Sequence, residues 1–242
     1  MRDKHDRLFN KKFIAVTFTL LLMTVCCLSI AAYLRAKSGS GMYAFLSWDM
    51  FLAWIPLLIS SLMAYVSRHM FTRHRTIGVA LTCSLALVWL FFLPNAAYLF
   101  TEMLHTFRYF TAQRGNPFWY SMDFWYSLSL TFGVALTGLL LSTCSIMQIQ
   151  QILRKCTHRS VCWIIVGGIL LLSSLGVYIG RFNRWNSWDI VSRPGKIVMD
   201  LVNDLGAEES ILFEFVALLF VVQAFIYVII SLLNFQSKEL SR

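Results

Sequence analysis

The residues of this chain whose types and spacing suit chemistry are concentrated in two motifs, and the first follows Pro94. It contains Asn95, Tyr98, Glu102 and His105. In a helix these positions, at i, i+3, i+7 and i+10, share one face, which aligns an amide, a phenol, a carboxylate and an imidazole. Glu102 and His105 are therefore candidates for acid–base catalysis or, at their i, i+3 spacing, for metal ligands. The alternative is a hydrogen-bonded polar stripe that locks a kinked helix against its neighbours.

The second motif, Tyr178 to Asp189, contains two arginines, two tryptophans and two asparagines before its final aspartate. Continued as a helix, it places Arg181, Arg184, Trp185 and Trp188 on one face. Two guanidinium groups on one face are suited to holding an anion or the carboxylates of the first motif. The alternative is an interfacial belt of tryptophans with arginines that reach the lipid headgroups. The candidate ligand-binding residues are Asn95, Tyr98, Arg181, Arg184, Trp185, Asn186 and Trp188.

Two further carboxylates, Asp49 and Asp123, come just before apolar segments. Either could stabilise a helix N-terminus, where a carboxylate is favoured, and we expect that role for Asp49. Ionisable groups at membrane ends are tolerated when paired. We therefore expect Arg181 and Arg184 to be surrounded by Glu102, His105, Asp189 and either Asp123 or Asp49. The candidate catalytic residues are Glu102, His105, Asp123 and Asp189.

Six apolar segments must position these motifs. The chain is 58% hydrophobic and 14% charged over 242 residues, whereas a soluble domain is about one quarter charged. Continuous apolar runs of about 17–25 residues select membrane-spanning helices. The sequence therefore predicts an all-α polytopic membrane helix bundle with six transmembrane helices in a single domain, residues 1–242. The predicted spans are 13–34, 50–66, 77–93, 124–147, 161–179 and 211–233.

The ends of these spans carry two further expectations. The first span is longer than the core of a signal peptide, which is roughly 7–15 residues, so we interpret it as an uncleaved anchor. The second and third spans are short, and Pro56 and Pro94 lie near the same side of both. We expect bends or extensions there, with Pro94 ending or kinking the third span.

The charged residues predict the orientation. With both termini inside, 13 Lys and Arg residues fall on the cytoplasmic side and 8 on the exported side. The acidic residues are distributed oppositely, with 3 inside and 9 outside. The positive-inside rule therefore predicts that both termini face the cytoplasm and that the two motifs face outward. The net charge of +9 reflects this topology and does not indicate nucleic-acid binding.

Two packing patterns lie on either side of the second motif. Gly176 and Gly180 form a small-xxx-small pair, which predicts close packing against a neighbouring helix and places Arg181 beside that helix. Beyond Pro194, an apolar face that ends at Gly206 predicts a short amphipathic helix on the exported side, either interfacial or a lid over the polar cluster. That face comprises Ile197, Val198, Leu201, Val202 and Leu205.

The six cysteines predict no structural disulfide, because none lies in a predicted exported loop. No paired-cysteine zinc motif, phosphate-binding loop or dinucleotide fingerprint occurs in the sequence. These patterns leave the cofactor undefined.

The two motifs together resemble a bacterial family of predicted multi-span membrane proteins, the domain of unknown function 1361. The family pattern is similar to Leu-Pro-Asn-x-x-Tyr, Thr-(Asp/Glu)-x-x-His, Trp-Tyr-Asp and Tyr-x-Gly-Arg-Phe-x-Arg-Trp-Asn-Ser-Trp-Asp. This chain departs from the third element, because Ser127 follows Trp125 and Tyr126 and the aspartate, Asp123, comes one turn earlier. The resemblance implies a membrane location and a shared architecture, and it implies no established activity. The matching residues are Leu93, Pro94, Asn95, Tyr98, Thr101, Glu102, His105, Trp125, Tyr126 and residues 178–189.

Three classes of function fit the sequence. The first is a protein of the bacterial cytoplasmic membrane that binds an anionic envelope or lipid-linked ligand at the exported face, as an acid–base or metal-dependent enzyme if Glu102 or His105 reacts. The second is a transporter. Against this class, the clearest polar residue in the middle of a span is Gln223, which carries no charge. The third is a non-catalytic membrane protein that binds a protein partner. Membrane lipids are expected partners in each class, and nucleic acid is not.

Overall fold

The structure is a computed structural model that describes residues 2–73, 75–110, 117–185, 192–206 and 211–239. Every regular element in these residues is helical, and no strand occurs among them. Short 3₁₀ segments cover Leu99–Met103 and Phe118–Tyr120. The α-helices are α1 (Arg2–Ser38), α2 (Leu46–Arg73), α3 (Arg75–Tyr98), α4 (Leu104–Tyr109), α5 (Met122–Leu153), α6 (Arg159–Arg181), α7 (Pro194–Gly206) and α8 (Leu212–Glu239).

Six of these helical segments, within the described residues, are long and apolar enough to cross a membrane, which confirms the predicted number. Five of them are α1, α2, α5, α6 and α8. The sixth is the continuous stretch that begins in α3 and ends with α4. Most extend beyond the predicted spans. The extension is largest at Thr76–Tyr109, a helical stretch of 34 residues, compared with 17 in the predicted span 77–93.

Pro94 lies inside α3 and does not end it, so the expected stop at this proline is wrong. A proline removes only one donor from the helix ladder, and packing can compensate for that loss in a membrane helix. The α-helix ends at Tyr98 and continues as the 3₁₀ segment Leu99–Met103 and then as α4. The alternative expectation, an extension of the third span past its proline, is therefore confirmed.

The chain divides into two compact units, and the first comprises Met1–Met50 and Leu99–Leu140. Within it, α1 packs closely on α5, because a Cβ added at Gly133 would lie 3.1 Å from the Cys27 Sγ atom. Between α1 and α2, Tyr43 is buried with a φ of 58°. The Tyr43 and Ser127 hydroxyls are hydrogen-bonded, which fastens this connection to α5.

The second unit comprises Phe51–Tyr98 and Leu141–Arg242, and buried polar side chains join its helices. The Trp89 indole N–H donates to the Ser145 hydroxyl (2.6 Å), and Ser145 donates to the Pro56 carbonyl (3.0 Å). Ser60 donates to the Gln148 side-chain oxygen at 2.6 Å. Gln148 was expected in a loop after residue 147, but α5 runs to Leu153 and buries it. Such bonds hold membrane helices together where lipid supplies no alternative partner.

A second polar network in this unit uses Gln223, the residue that a transporter would present in midspan. Ser173 donates to its side-chain oxygen at 3.1 Å, and its amide group donates to Ser174 at 2.8 Å. All three side chains are buried. Gln223 therefore links α8 to α6, which is an architectural role. That the whole chain forms a single membrane domain stays a prediction.

Candidate functional site

The two sequence motifs meet where α6 packs against α3 in the second unit. A Cβ atom added at Gly176 would lie 2.5 Å from the Pro94 Cγ atom, so only glycine fits there. One turn later, a Cβ atom at Gly180 would lie 3.7 Å from the Tyr98 ring, which is ordinary contact. The predicted close packing of this glycine pair is confirmed. It brings the end of α6 beside the end of α3.

Arg181 and Tyr98 form the contact that this packing makes possible. The Arg181 Nη1 atom donates to the Tyr98 hydroxyl at 3.3 Å. The guanidinium carbon also lies 5.8 Å from the centre of the Tyr98 ring, within the range of a cation–π interaction. An aromatic ring stabilises a cation without neutralising it. Arg181, one candidate residue, is thus held in place by Tyr98, another.

The chain leaves the helix immediately after Arg181, so the predicted continuation of the helical face to Arg184 and Trp185 is wrong. Arg184 has a φ of 58°, in the left-handed region that ends many helices. The chain turns there, and the Trp185 backbone N–H donates to the Ile179 carbonyl at 3.4 Å. The Arg184 side chain is exposed. Asn186, Trp188 and Asp189 lie outside the described residues.

Two aspartates of α7 that the sequence analysis did not select contact the second motif. The Asp204 carboxylate accepts from the Tyr178 hydroxyl (3.2 Å) and the Asn183 amide (3.0 Å). The Asp200 carboxylate accepts from the Trp185 indole N–H at 3.0 Å. Their i, i+4 spacing on a short amphipathic helix was the available signal, because it places both on one face. They attach α7 to the end of α6.

This attachment decides which side of α7 faces inward. Ile197 is buried, and Leu201 packs against a cluster of Tyr178, Leu212 and Val216. The predicted amphipathic helix is present at Pro194–Gly206, and its apolar face packs on the bundle through Ile197 and Leu201 while the rest of the face is exposed. Asp200 and Asp204 share a side with Ile197 and Leu201, and their hydrogen bonds turn that side toward the bundle. The exposed apolar stripe on the other side comprises Val198, Met199, Val202 and Leu205.

In the first unit, Glu102 and His105 are in direct contact. The Glu102 Oε2 and His105 Nδ1 atoms are 2.8 Å apart, although the contact is not aligned as a hydrogen bond. Glu102 lies in the 3₁₀ segment, where side chains at i and i+3 eclipse one another, and His105 lies in the next turn. The i, i+3 pair was predicted. The prediction that Asn95, Tyr98, Glu102 and His105 share one α-helical face is wrong, because the 3₁₀ segment after Tyr98 changes the number of residues per turn.

The metal hypothesis rests on Glu102 and His105 alone in the described part of the chain. No group of three or more His, Cys, Asp or Glu side chains there could hold a metal ion. Structural zinc sites use four protein ligands and catalytic ones three. The described residues therefore supply fewer ligands than either kind of site.

The remaining candidates have local partners. Asp123 forms an exposed ion pair with Lys37, and the Asn95 amide donates to the Phe92 carbonyl at 3.0 Å. Asp49 lies in the first turn of α2, as expected for a carboxylate at a helix N-terminus. Ser127, where the family pattern has aspartate, is buried and bonds Tyr43. Burial raises the pKa of the Tyr43 phenol, so this hydroxyl keeps its proton.

These helices and polar contacts define a multi-pass membrane protein whose two sequence motifs are built into helix ends. A family model described as protein of unknown function (DUF1361) matches residues 48–230, and the chain belongs to that family. The matched region includes both motifs. No curated protein and no solved structure matches the chain.

Proposed function

We propose that this protein lies in the bacterial cytoplasmic membrane with both termini inside, and that it binds a phosphate-bearing headgroup of an envelope or lipid-linked molecule at the exported end of α6. The orientation is supported by the distribution of charge, with 13 of the 21 Lys and Arg residues on the proposed inner side. The site comprises Arg181, Arg184, Trp185 and Lys196.

One observation supports this site above the others: cations at the end of α6 lie against aromatic rings. Arg181 lies over Tyr98, and the Lys196 ammonium lies 5.6 Å from the centre of the Trp185 ring. These contacts orient both groups. The aspartates Asp200 and Asp204 accept from neutral donors. Arg184 and Lys196, whose side chains are both exposed, are the groups that would meet an anion at this end.

The position of α7 supports a ligand at the lipid interface. Leu201 packs on the end of α6 and the start of α8, two membrane-spanning helices, so α7 lies at the level where both reach the membrane surface. Its exposed stripe of Val198, Met199, Val202 and Leu205 suits the boundary between headgroups and acyl chains. Headgroup phosphates lie at the same depth as the cations.

The test measures thermal unfolding of the purified chain in nanodiscs of neutral lipid, with and without anionic phospholipid. We expect anionic lipid to raise the Tm, and Arg184→Gln with Lys196→Gln to reduce that gain, because each lost cation contributes about 1 kcal/mol near an anionic surface. Arg184→Lys with Lys196→Arg, which keeps both charges, should keep the full gain. Equal gains in all three proteins would contradict the site. Glycerol phosphate in neutral nanodiscs tests whether a soluble headgroup suffices.

A further inference from the structure

We propose that Glu102 and His105 form a proton-transfer dyad, in which the carboxylate holds the Nδ1 side of the imidazole and Nε2 acts as a general base toward water or an alcohol. This inference goes beyond headgroup binding and does not depend on it. The dyad lies in the first unit, whereas the cation site lies in the second.

The exposure of the two side chains supports this assignment. The Glu102 side chain is 2% exposed and the His105 side chain 17% exposed, while the Nδ1 atom itself is fully buried. The exposure of the side chain therefore lies elsewhere than at Nδ1, and we assign it to the ring edge that carries Nε2. A carboxylate at Nδ1 selects the tautomer with the proton on Nδ1 and leaves the Nε2 lone pair available.

The surrounding residues hold the ring in one orientation. The His105 and Phe45 rings lie with their centres 4.6 Å apart at an angle of 41°. Phe45 follows Tyr43, which is buried in a left-handed conformation and bonded to Ser127. Thr106, the residue after His105, is buried and shares a hydrogen bond with Thr131 at 2.7 Å. A base fixed in this way needs little reorganisation when it reacts.

The proposed step conserves protons and charge. Nε2 takes the proton of a water or alcohol O–H as that oxygen forms a bond to the acyl carbon or phosphorus of an ester, and the resulting imidazolium is stabilised by the adjacent Glu102 carboxylate. The bond from that centre to the ester's leaving oxygen then breaks, the imidazolium gives its Nε2 proton to this oxygen, and the dyad is restored. A contact that is short but poorly aligned is expected before substrate binds, because catalytic hydrogen bonds often tighten in the substrate complex.

A purely structural role for the pair makes a different prediction. An ion pair that only fastens the 3₁₀ segment to α4 gives the ring no enhanced reactivity at Nε2. The two roles are therefore separated by the reactivity and the tautomer of His105, and neither readout requires the natural substrate.

The experiment uses the full chain with His5, His69, His74 and His158 changed to Asn, which leaves His105 as its one histidine. Diethyl pyrocarbonate, which acylates an unprotonated imidazole nitrogen, is added, and the labelled residue is identified by mass spectrometry. We expect His105 to be labelled, and its labelling to be on the order of tenfold slower in Glu102→Gln. Arg108→Gln, an exposed change in the same helix, should not alter the rate.

An unlabelled His105, or equal rates with and without the Glu102 carboxylate, would overturn the proposal. If Glu102→Gln does not fold, ¹⁵N NMR of the single-histidine chain decides the question without that variant. In the neutral ring we expect the proton on Nδ1. A neutral ring with its proton on Nε2 would also overturn the proposal.

Discussion

Arg184 has the backbone conformation with the clearest energetic consequence. Its φ of 58° lies in the left-handed region, which costs a residue with a Cβ atom about 1–2 kcal/mol and glycine almost nothing. Helices commonly end with glycine in this conformation. An arginine in this conformation lowers the stability of the folded protein, and it places an exposed guanidinium group just beyond the end of α6. Strain of this kind is concentrated at functional sites.

We therefore predict that Arg184→Gly raises the free energy of unfolding by about 1 kcal/mol, because the glycine relieves the strain. Arg184→Ala retains the Cβ atom and should remain close to the native stability. Equilibrium unfolding in detergent measures both. The two variants lack the same cation, so a difference in stability reports the backbone alone. Equal unfolding free energies would contradict the prediction.

At the scale of single residues, the sequence predicted which two residues are in contact better than it predicted which residues share a helix face. The i, i+3 relation of Glu102 and His105 was readable because α and 3₁₀ geometry both bring such residues together. The face that Arg181, Arg184 and Trp185 were predicted to share was wrong. It assumed that the helix continues, whereas α6 ends at Arg181 and the chain turns at Arg184. Asp200 and Asp204 were missed because their partners come from a different segment of the chain, the end of α6 and the residues after it. Hydrogen bonds of that kind have no sequence period.

The contact of Gly176 with Pro94 controls how closely α6 and α3 approach. The proline ring occupies the space that a side chain at residue 176 would need. Gly167 and Gly168, on the same helix, have nothing within 4 Å of an added Cβ atom. The three glycines share one helix and differ in their surroundings, which makes them a matched set.

We predict that Gly176→Ala destabilises the protein by about 1–3 kcal/mol, the usual cost of an overpacked contact. Gly168→Ala should be neutral or stabilising by up to about 1 kcal/mol, since alanine is the better helix former. Unfolding of both variants in the same detergent provides the comparison. A Gly176→Ala protein as stable as the Gly168→Ala protein would show that α6 and α3 do not meet at this glycine.

At the scale of elements, the sequence predicted the six spans and the glycine pair, but not where the helices end. Hydropathy marks the part of a helix that suits lipid, and α5 continues past it through Gln148 and Gln150, whose side chains are buried. Polar residues inside a bundle look like loop residues when only their polarity is considered. The packing of α7 through only part of its apolar face had the same cause, since its docking is decided by Asp200 and Asp204.

The whole molecule presents apolar side chains over much of its surface, which suits lipid around the spanning helices. Phe18, Leu22, Leu87, Ile164 and Phe225 are each more than half exposed, and all lie in such helices. A surface of this kind indicates that lipid surrounds the helices. It does not indicate which helix ends face the cytoplasm. The proposed direction rests on the distribution of charge between the two sides.

Native cysteines make the orientation testable. Cys156 is exposed in the turn after α5, which the proposed topology places in the cytoplasm. In a chain with the other five cysteines changed to serine, a membrane-impermeant maleimide should label Cys156 only after the cells are permeabilised. Asn203→Cys, at an exposed position on α7 in a cysteine-free chain, should be labelled in intact cells. Labelling of both sites from the same side would contradict the topology.

The contact between the two motifs also bears on how sequences of this family diverge. Pro94 and Tyr98 come from the first motif, and each lies against a glycine of α6, at Gly176 and Gly180. A side chain at residue 176 is compatible only with a smaller one at residue 94, so the two stretches should change together over evolutionary time. A relative that retains one motif and has lost the other is expected to have a different arrangement at this helix end.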